Sequence, residues 1–206
     1  MPKIVDHEER RRAISAAACR VIATAGLANT TIRDIAAEAG CTTGMVVHYF
    51  DGKRQVLLAA LASATAAVEE RITRLVAQSA GLYEVLCQCL PMDETRRIEW
   101  QVWIAFWDWA THDAELAREQ RQRYRAWCES LQMVLVSAGY AGRDLESVAE
   151  EVMVAIDGIG LQAVFDPDRF TPERQLALLR RQAARILTDV DGEGVVPSEI
   201  LRPDRV

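Results

Sequence analysis

One segment, Thr30–Lys53 (TTIRDIAAEAGCTTGMVVHYFDGK), limits what this chain can fold into more than any other. Ile35, Ala36 and Ala39 recur at helical spacing and define an apolar face. Gly40 follows where that helix must stop, since the residue just past a helix end often needs positive φ. A hydroxyl at Thr42 or Thr43 then caps a second helix. That helix turns Val46 and Tyr49 inward and leaves Thr43, Met45 and His48 to face outward. Small Ala36 lets the two helices approach closely and cross steeply. Two short helices around a tight glycine turn make a helix-turn-helix, whose second helix enters the DNA major groove. Ordinary helical hairpins share the outline, so the hairpin by itself does not decide function.

The remainder reads as all-α. A first helix is expected from about Asp6 to Ala25, with Ile14, Ala17, Ala18, Val21 and Ile22 as its inner stripe and Gly26 as its stop. A long helix begins near Lys53 and carries Val56, Leu57, Ala60, Leu61, Val68, Ile72, Leu75 and Val76. A shorter one spans about Leu82 to Leu90, closed by Pro91. Asp93 opens a helix through Thr111, and Asp113 opens another reaching Ser137. Gly139 and Gly142 break the pattern. Two more helices run from about Leu145 to Val164 and from Pro172 to Thr188, giving nine in all. The organisation expected is a three-helix DNA-binding domain over residues 1–52 and a larger helical domain over 53–188. The closing residues 189–206, rich in Gly, Pro and charge, are expected to be a flexible tail.

Charge sharpens this division. The net charge of −6 argues against a polyanionic partner until the chain is split. Residues 1–55 hold eight Lys or Arg against six Asp or Glu, and the rest hold sixteen against twenty-four. The basic end is the helix-turn-helix end, an asymmetry that accompanies nucleic-acid contact. The excess is small, so the placement of Arg10, Arg11, Arg12, Arg33, Lys53 and Arg54 has to supply the phosphate attraction. Half of the residues are hydrophobic, as in a globular protein. No apolar run approaches the roughly 20 residues that span a bilayer, and the N-terminus lacks a signal peptide's apolar stretch, so a cytoplasmic address is expected. The five cysteines form no CxxC pair or His-Cys cluster and are expected as buried free thiols, with no metal site.

All five tryptophans lie between Trp100 and Trp127. Trp100, Trp103 and Trp107 share one helix face, with Phe106 and Trp109 on the other. Core packing accounts for most such rings. The alternative is a ligand cavity, because aromatic faces attract cations and recognise quaternary ammonium groups. Trp127 extends the aromatic set, and Asp108, Glu99 and Asp157 are the carboxylates available to balance a cation.

From Thr30 to Lys53 the chain resembles the tetracycline-repressor (TetR) family: a Thr-rich cap, Asp34-Ile35-Ala36, Ala39-Gly40, a hydroxyl pair, Gly44, Tyr49-Phe50 and Lys53. The resemblance implies a ligand-responsive dimeric repressor of double-stranded operator DNA, with Arg33, Thr42, Thr43, Gly44, Met45, His48, Tyr49 and Lys53 as its DNA contacts. The sequence departs from the family at Val47, where a tyrosine is usual, so a phosphate-contacting hydroxyl is missing there. The segment from Trp100 to Trp127 is similar to the effector domain of the choline-responsive BetI branch. That similarity implies a small-molecule effector, a choline-like cation, held by Trp100, Trp103, Trp107, Asp108, Trp127 and Asp157.

The resemblance also implies a homodimer built from the last two long helices. Val148, Val152, Met153, Ile156, Ile159, Gly160 and Ala163 form one apolar face, and Leu176, Leu179, Ala183, Ile186 and Leu187 another. Packing of both faces within a single chain is the alternative. An all-helical enzyme using Asp108, His112 and Asp113 lacks any recognisable catalytic constellation. A ligand-binding protein with a degenerate DNA head rests only on Val47. Neither enzyme activity nor a cofactor is expected.

Overall fold

A computed structural model of the chain describes residues 7–140 and 144–188. These form nine α-helices and no strand: α1 (His7–Asn29), α2 (Ile32–Glu38), α3 (Thr43–Tyr49), α4 (Gly52–Ala77), α5 (Leu82–Cys87), α6 (Glu94–His112), α7 (Ala114–Ser137), α8 (Leu145–Phe165) and α9 (Pro172–Thr188). The expected tail at 189–206, Gly142 and the start of the first helix at Asp6 lie outside the described residues. The chain forms two compact units. One comprises Met1–Ala67 with Arg97–Trp109, and the other Val68–Arg96 with Ala110–Val206.

In the first unit, Ile14, Ala17, Ala18, Val21 and Ile22 are buried along α1 as the periodicity requires. α1 is broken at Gly26, whose φ of 74° a side-chain-bearing residue rarely adopts. Beyond the break Thr30 is fully buried, and its hydroxyl donates to the Gly26 carbonyl at 2.8 Å. Thr31 then starts α2 through a capping box. Its hydroxyl accepts from the Asp34 N–H, while the Asp34 carboxylate accepts from the Thr31 N–H. Gly40, at φ 62°, closes α2 in a Schellman turn: its N–H reaches Ala37 O at 3.1 Å and the Cys41 N–H reaches Ala36 O at 2.9 Å. Ile35, Ala36, Val46 and Phe50 bury the inner sides of α2 and α3, each large side chain contributing roughly 1.5–3 kcal/mol of transfer free energy.

In the second unit, α5 stops at Cys87, three residues before the expected end. Residues 88–90 continue instead in tight i→i+3 bonds, such as Gln88 N–H to Val85 O at 3.0 Å. Asp113 caps α7 through the N–H groups of Glu115 and Leu116, and Asp144 caps α8 through that of Ser147. The Tyr83 hydroxyl donates to Leu176 O at 2.9 Å and ties α5 to α9.

The apolar faces of α8 and α9 are largely used inside one subunit. Val148, Val152, Ile156, Ile159, Ala163, Leu179, Ala183 and Leu187 are all buried in the single chain. These side chains are already covered within a single chain, so they do not themselves form a surface open to a second copy. The strip left over carries Val154 and Phe165, exposed by 67% and 68%. Beside it lies a groove of about 670 Å³ lined by Glu150, Glu151, Val154, Gly158, Arg185 and Ile186 among others.

Candidate functional site

α3 is only seven residues long, so both of its ends need partners from outside its own ladder. At the N-terminus the Thr42 hydroxyl accepts from the Met45 N–H at 3.2 Å. At the C-terminus an Arg11 guanidinium N–H donates to the Tyr49 carbonyl at 2.6 Å. Val46 and Phe50 anchor the helix in the core, and Tyr49 is half-buried. Thr43, Gly44, Met45, Val47 and His48 present a continuous outer surface. A methyl group on Gly44 would meet the Thr42 hydroxyl at an ordinary 3.8 Å, so among the described residues nothing demands glycine there.

The structure sorts the basic residues into two kinds. Arg12 and Arg33 are exposed. Lys53 is half-buried, with its ammonium 3.4 Å from the Ala28 carbonyl. Arg20 bonds Glu38 and links α1 to α2. Arg11 and Arg54, by contrast, stack on rings: Arg11 lies 4.5 Å over Phe50, and Arg54 lies 5.3 Å over Trp109. Arg11 and Arg54 thus lean on aromatic faces, while Arg12 and Arg33 are exposed.

Of the residues assigned to effector binding, Trp100, Trp103, Trp107 and Asp108 belong to the first unit. Trp100 is 1% exposed, and its ring meets those of Trp103 at 5.4 Å and Trp107 at 6.0 Å, both edge-on. Trp100 is thus a core ring, while Trp103 and Trp107 are half-buried and Asp108 is exposed. Trp127 and Asp157 belong to the second unit, where Trp127 is half-buried on α7. Asp157, on α8, accepts a 2.9 Å hydrogen bond from the Tyr124 hydroxyl of α7. Burial pushes the Asp157 carboxyl up to about 6, against the opposing pull of that hydrogen bond. Tyr124 is raised as well, by burial and then by the neighbouring carboxylate.

Tyr124 was not among the residues singled out from the sequence. Its signal was available: it is an aromatic one turn before Trp127 in a strongly charged stretch. Glu99 is buried at 5% exposure, beside Trp100 in sequence. All five cysteines are free, and burial raises the thiols of Cys19 and Cys89 to about 12 and of Cys87 to about 11. Among the described residues no cluster of three or more His, Cys, Asp or Glu is arranged to hold a metal, and no helix is long and apolar enough to cross a membrane.

A capped two-turn helix with an exposed outer face, set behind a Schellman corner, defines a helix-turn-helix DNA-binding protein. Residues 14–60 match the model of bacterial regulatory proteins of the tetR family, and residues 78–188 match that of the C-terminal domain of BetI-type transcriptional repressors. The chain belongs to this family of transcriptional regulators, which is not a family of enzymes. It is 32% identical over 206 residues to the HTH-type transcriptional regulator BetI of Vibrio campbellii, covering 91% of this chain and 97% of that one. It is 30% identical over 182 residues to the HTH-type transcriptional regulator PksA of Bacillus subtilis, covering 84% and 88%. A transcriptional regulator of Saccharomonospora viridis, crystallised in complex with choline, superposes with a TM-score of 0.71 at 25% identity over 85% of this chain and 95% of its own. Regulators of this family bind operator DNA and small-molecule effectors and act as dimers.

Proposed function

We propose that this chain is a cytoplasmic repressor whose DNA-binding head, residues 1–52, reads an operator through α3. Thr43, Met45 and His48 meet base edges, and Arg33, Thr42, Tyr49 and Lys53 meet phosphates. The absent side chain of Gly44 lets the phosphate backbone come close. The observation carrying this reading is the outer face of α3, which stays exposed while Thr42 and Arg11 fix the helix at its two ends. A dimer supplies two such helices to half-sites about one DNA turn apart or more. Its interface uses the outer strip of α8 and α9 around Val154, Gly158, Phe165 and Ile186, not the faces already buried within the subunit.

The effector is an organic cation of the choline class, bound by the helical domain of residues 53–188. Asp157 supplies the balancing charge, and Trp127 of the same unit supplies an aromatic face. The choline complex of the Saccharomonospora viridis relative supports the ligand class. Effector binding weakens the hold on DNA through coupling between two distinct sites.

Fluorescence anisotropy on an operator duplex selected from randomised DNA tests both parts. Thr43→Ala combined with His48→Ala abolishes the preference for the operator over random DNA. Millimolar choline releases the wild-type protein from the operator and leaves Asp157→Asn bound. Choline-insensitive operator binding, with no saturable change in tryptophan emission, would remove the cation from the proposal and leave the DNA reading standing.

A further inference from the structure

We infer that Arg11 is a positioning residue for the DNA-reading helix, holding the C-terminal end of α3 in place without touching DNA itself. The inference rests on α3 being that helix.

The last carbonyls of any α-helix lack partners within the helix, and in a two-turn helix they are a large share of its backbone groups. The Arg11 guanidinium meets this need at Tyr49, donating to its carbonyl at 2.6 Å across 38 residues of sequence. A charged donor makes that bond stronger than a neutral one, and a cation at a helix C-terminus also suits the helix dipole. The same guanidinium lies 4.5 Å over the ring of Phe50, the next residue, which is 1% exposed and so fixed in the core. Arg11 therefore ties α1 to the end of α3 at two points, the Tyr49 carbonyl and the buried ring of the C-cap residue Phe50.

A second contact comes from the same face of α1. His7 stands four residues before Arg11, one helical turn away, and its ring lies 4.3 Å from that of Tyr49 at a tilt of 50°. His7 takes the Tyr49 ring and Arg11 takes the Tyr49 carbonyl. With Thr42 capping the other end, the rotation of α3 about its axis is set at both termini. Thr43 and His48 lie between these two fixed points, so a loose C-terminus would misplace the base-facing side chains.

The chemistry of the contact separates this role from that of a phosphate contact. Lysine replaces arginine well as a point charge toward a phosphate. It cannot both stack a planar group on Phe50 and donate to Tyr49 in that geometry. The experiment compares full-length wild type, Arg11→Lys and Arg11→Met on the selected operator duplex and on a random duplex, across roughly 50 to 200 mM salt. A positioning role predicts that both variants lose operator affinity by roughly 10- to 100-fold, as for one or two misread base pairs. Affinity for the random duplex barely changes for Arg11→Lys, and the dependence of binding on salt keeps its slope.

Operator binding by Arg11→Lys equal to that of wild type overturns the inference. So does a parallel loss on both duplexes by Arg11→Met with a salt slope lower by about one, which marks a lost phosphate contact. Thermal melting confirms that each variant is folded. Should the Arg11 variants melt below the assay temperature, His7→Ala is the alternative probe. It predicts the same selective loss on the operator, and an unchanged operator affinity for it overturns the inference. Thr43→Ala with His48→Ala runs alongside, and unchanged operator binding there would reject α3 as the reader, a failure distinct from that of Arg11.

Discussion

The hydroxyl of Tyr124 on α7 donates to the carboxylate of Asp157 on α8 at 2.9 Å and ties the two helices together. Burial outweighs that bond and raises the carboxyl from 3.8 to about 6. A carboxyl with a raised pKa in the folded state binds its proton more tightly there than in the unfolded chain. Its protonated form is therefore favourable to folding, and stability falls as pH rises from about 4 to about 6. The loss is on the order of 2 kcal/mol after allowance for partial solvent access. Asp157→Asn should abolish this contribution. Urea unfolding of both proteins at about pH 5 and about pH 8 should show the variant gaining on wild type at the higher pH, and a constant difference between them would count against a buried, strained carboxylate.

The same group links ligand and proton. A cation bound at Asp157 favours its ionised form, so binding releases a proton below the free pKa of about 6. Choline affinity should be level above that point and weaken toward tenfold per pH unit beneath it. Calorimetric titration in buffers of different ionisation enthalpy measures the released proton directly. Equal proton counts at about pH 5 and about pH 8 would place the cation elsewhere.

At Gly44 stability and function should move in opposite directions. An alanine there meets only the Thr42 hydroxyl, at 3.8 Å, and replaces a poor helix former in the first turn of α3. Gly44→Ala should raise thermal stability by up to about 0.5–1 kcal/mol. The added methyl stands on the surface proposed to face DNA, so operator affinity should fall roughly 10-fold or more. Melting and anisotropy on one preparation decide it. Unimpaired operator binding would mean that the phosphate backbone stays clear of this turn.

Much of this molecule was legible in the sequence because its signals are local. Gly40 had to take positive φ, and it sits at 62°. Asp93 and Asp113 cap the helices they were expected to start. The outward set Thr43, Met45 and His48 follows from helical period alone. What escaped the sequence depends on tertiary distance. Nothing in the run Arg10-Arg11-Arg12 tells which guanidinium turns inward, since that depends on where Phe50 lies. Likewise, periodicity marks the apolar faces of α8 and α9 but not whether they meet each other or a second subunit. Within the chain most of these residues are buried, while Met153, Leu176 and Ile186 are half-buried.

Cysteine chemistry offers a simple check on the packing. Cys19, Cys87, Cys89 and Cys128 are buried, and burial keeps the first three thiols far above neutral pH. Cys41 is half-exposed in the turn between α2 and α3. Since the thiolate is the reactive form, a maleimide at neutral pH should label Cys41 first and the others only on unfolding. Peptide mapping by mass spectrometry identifies the modified residue. Early labelling of Cys89 would contradict its placement in the core.

Gly158 lies on the strip of α8 proposed for the dimer, outside the packing of a single subunit. Glycine in the middle of a helix costs about 1 kcal/mol relative to alanine, so α8 gives up stability there. Among the described residues, nothing outside its own helical turn lies within 4 Å of the Cβ that Gly158 lacks, so packing inside the subunit does not require it. The residue instead lines the open groove between α8 and α9, one turn from exposed Val154. A second helix crossing at that point would explain the glycine, because only a missing side chain lets two backbones approach closely. Gly158→Leu should therefore leave the helical content of the subunit intact while weakening the dimer by at least 10-fold, the bulk of the leucine holding the partner away. Sedimentation velocity across a dilution series measures the shift, and operator affinity should fall with it, since one subunit carries one reading helix. A variant that remains dimeric at wild-type concentrations would exclude this strip of α8 from the interface.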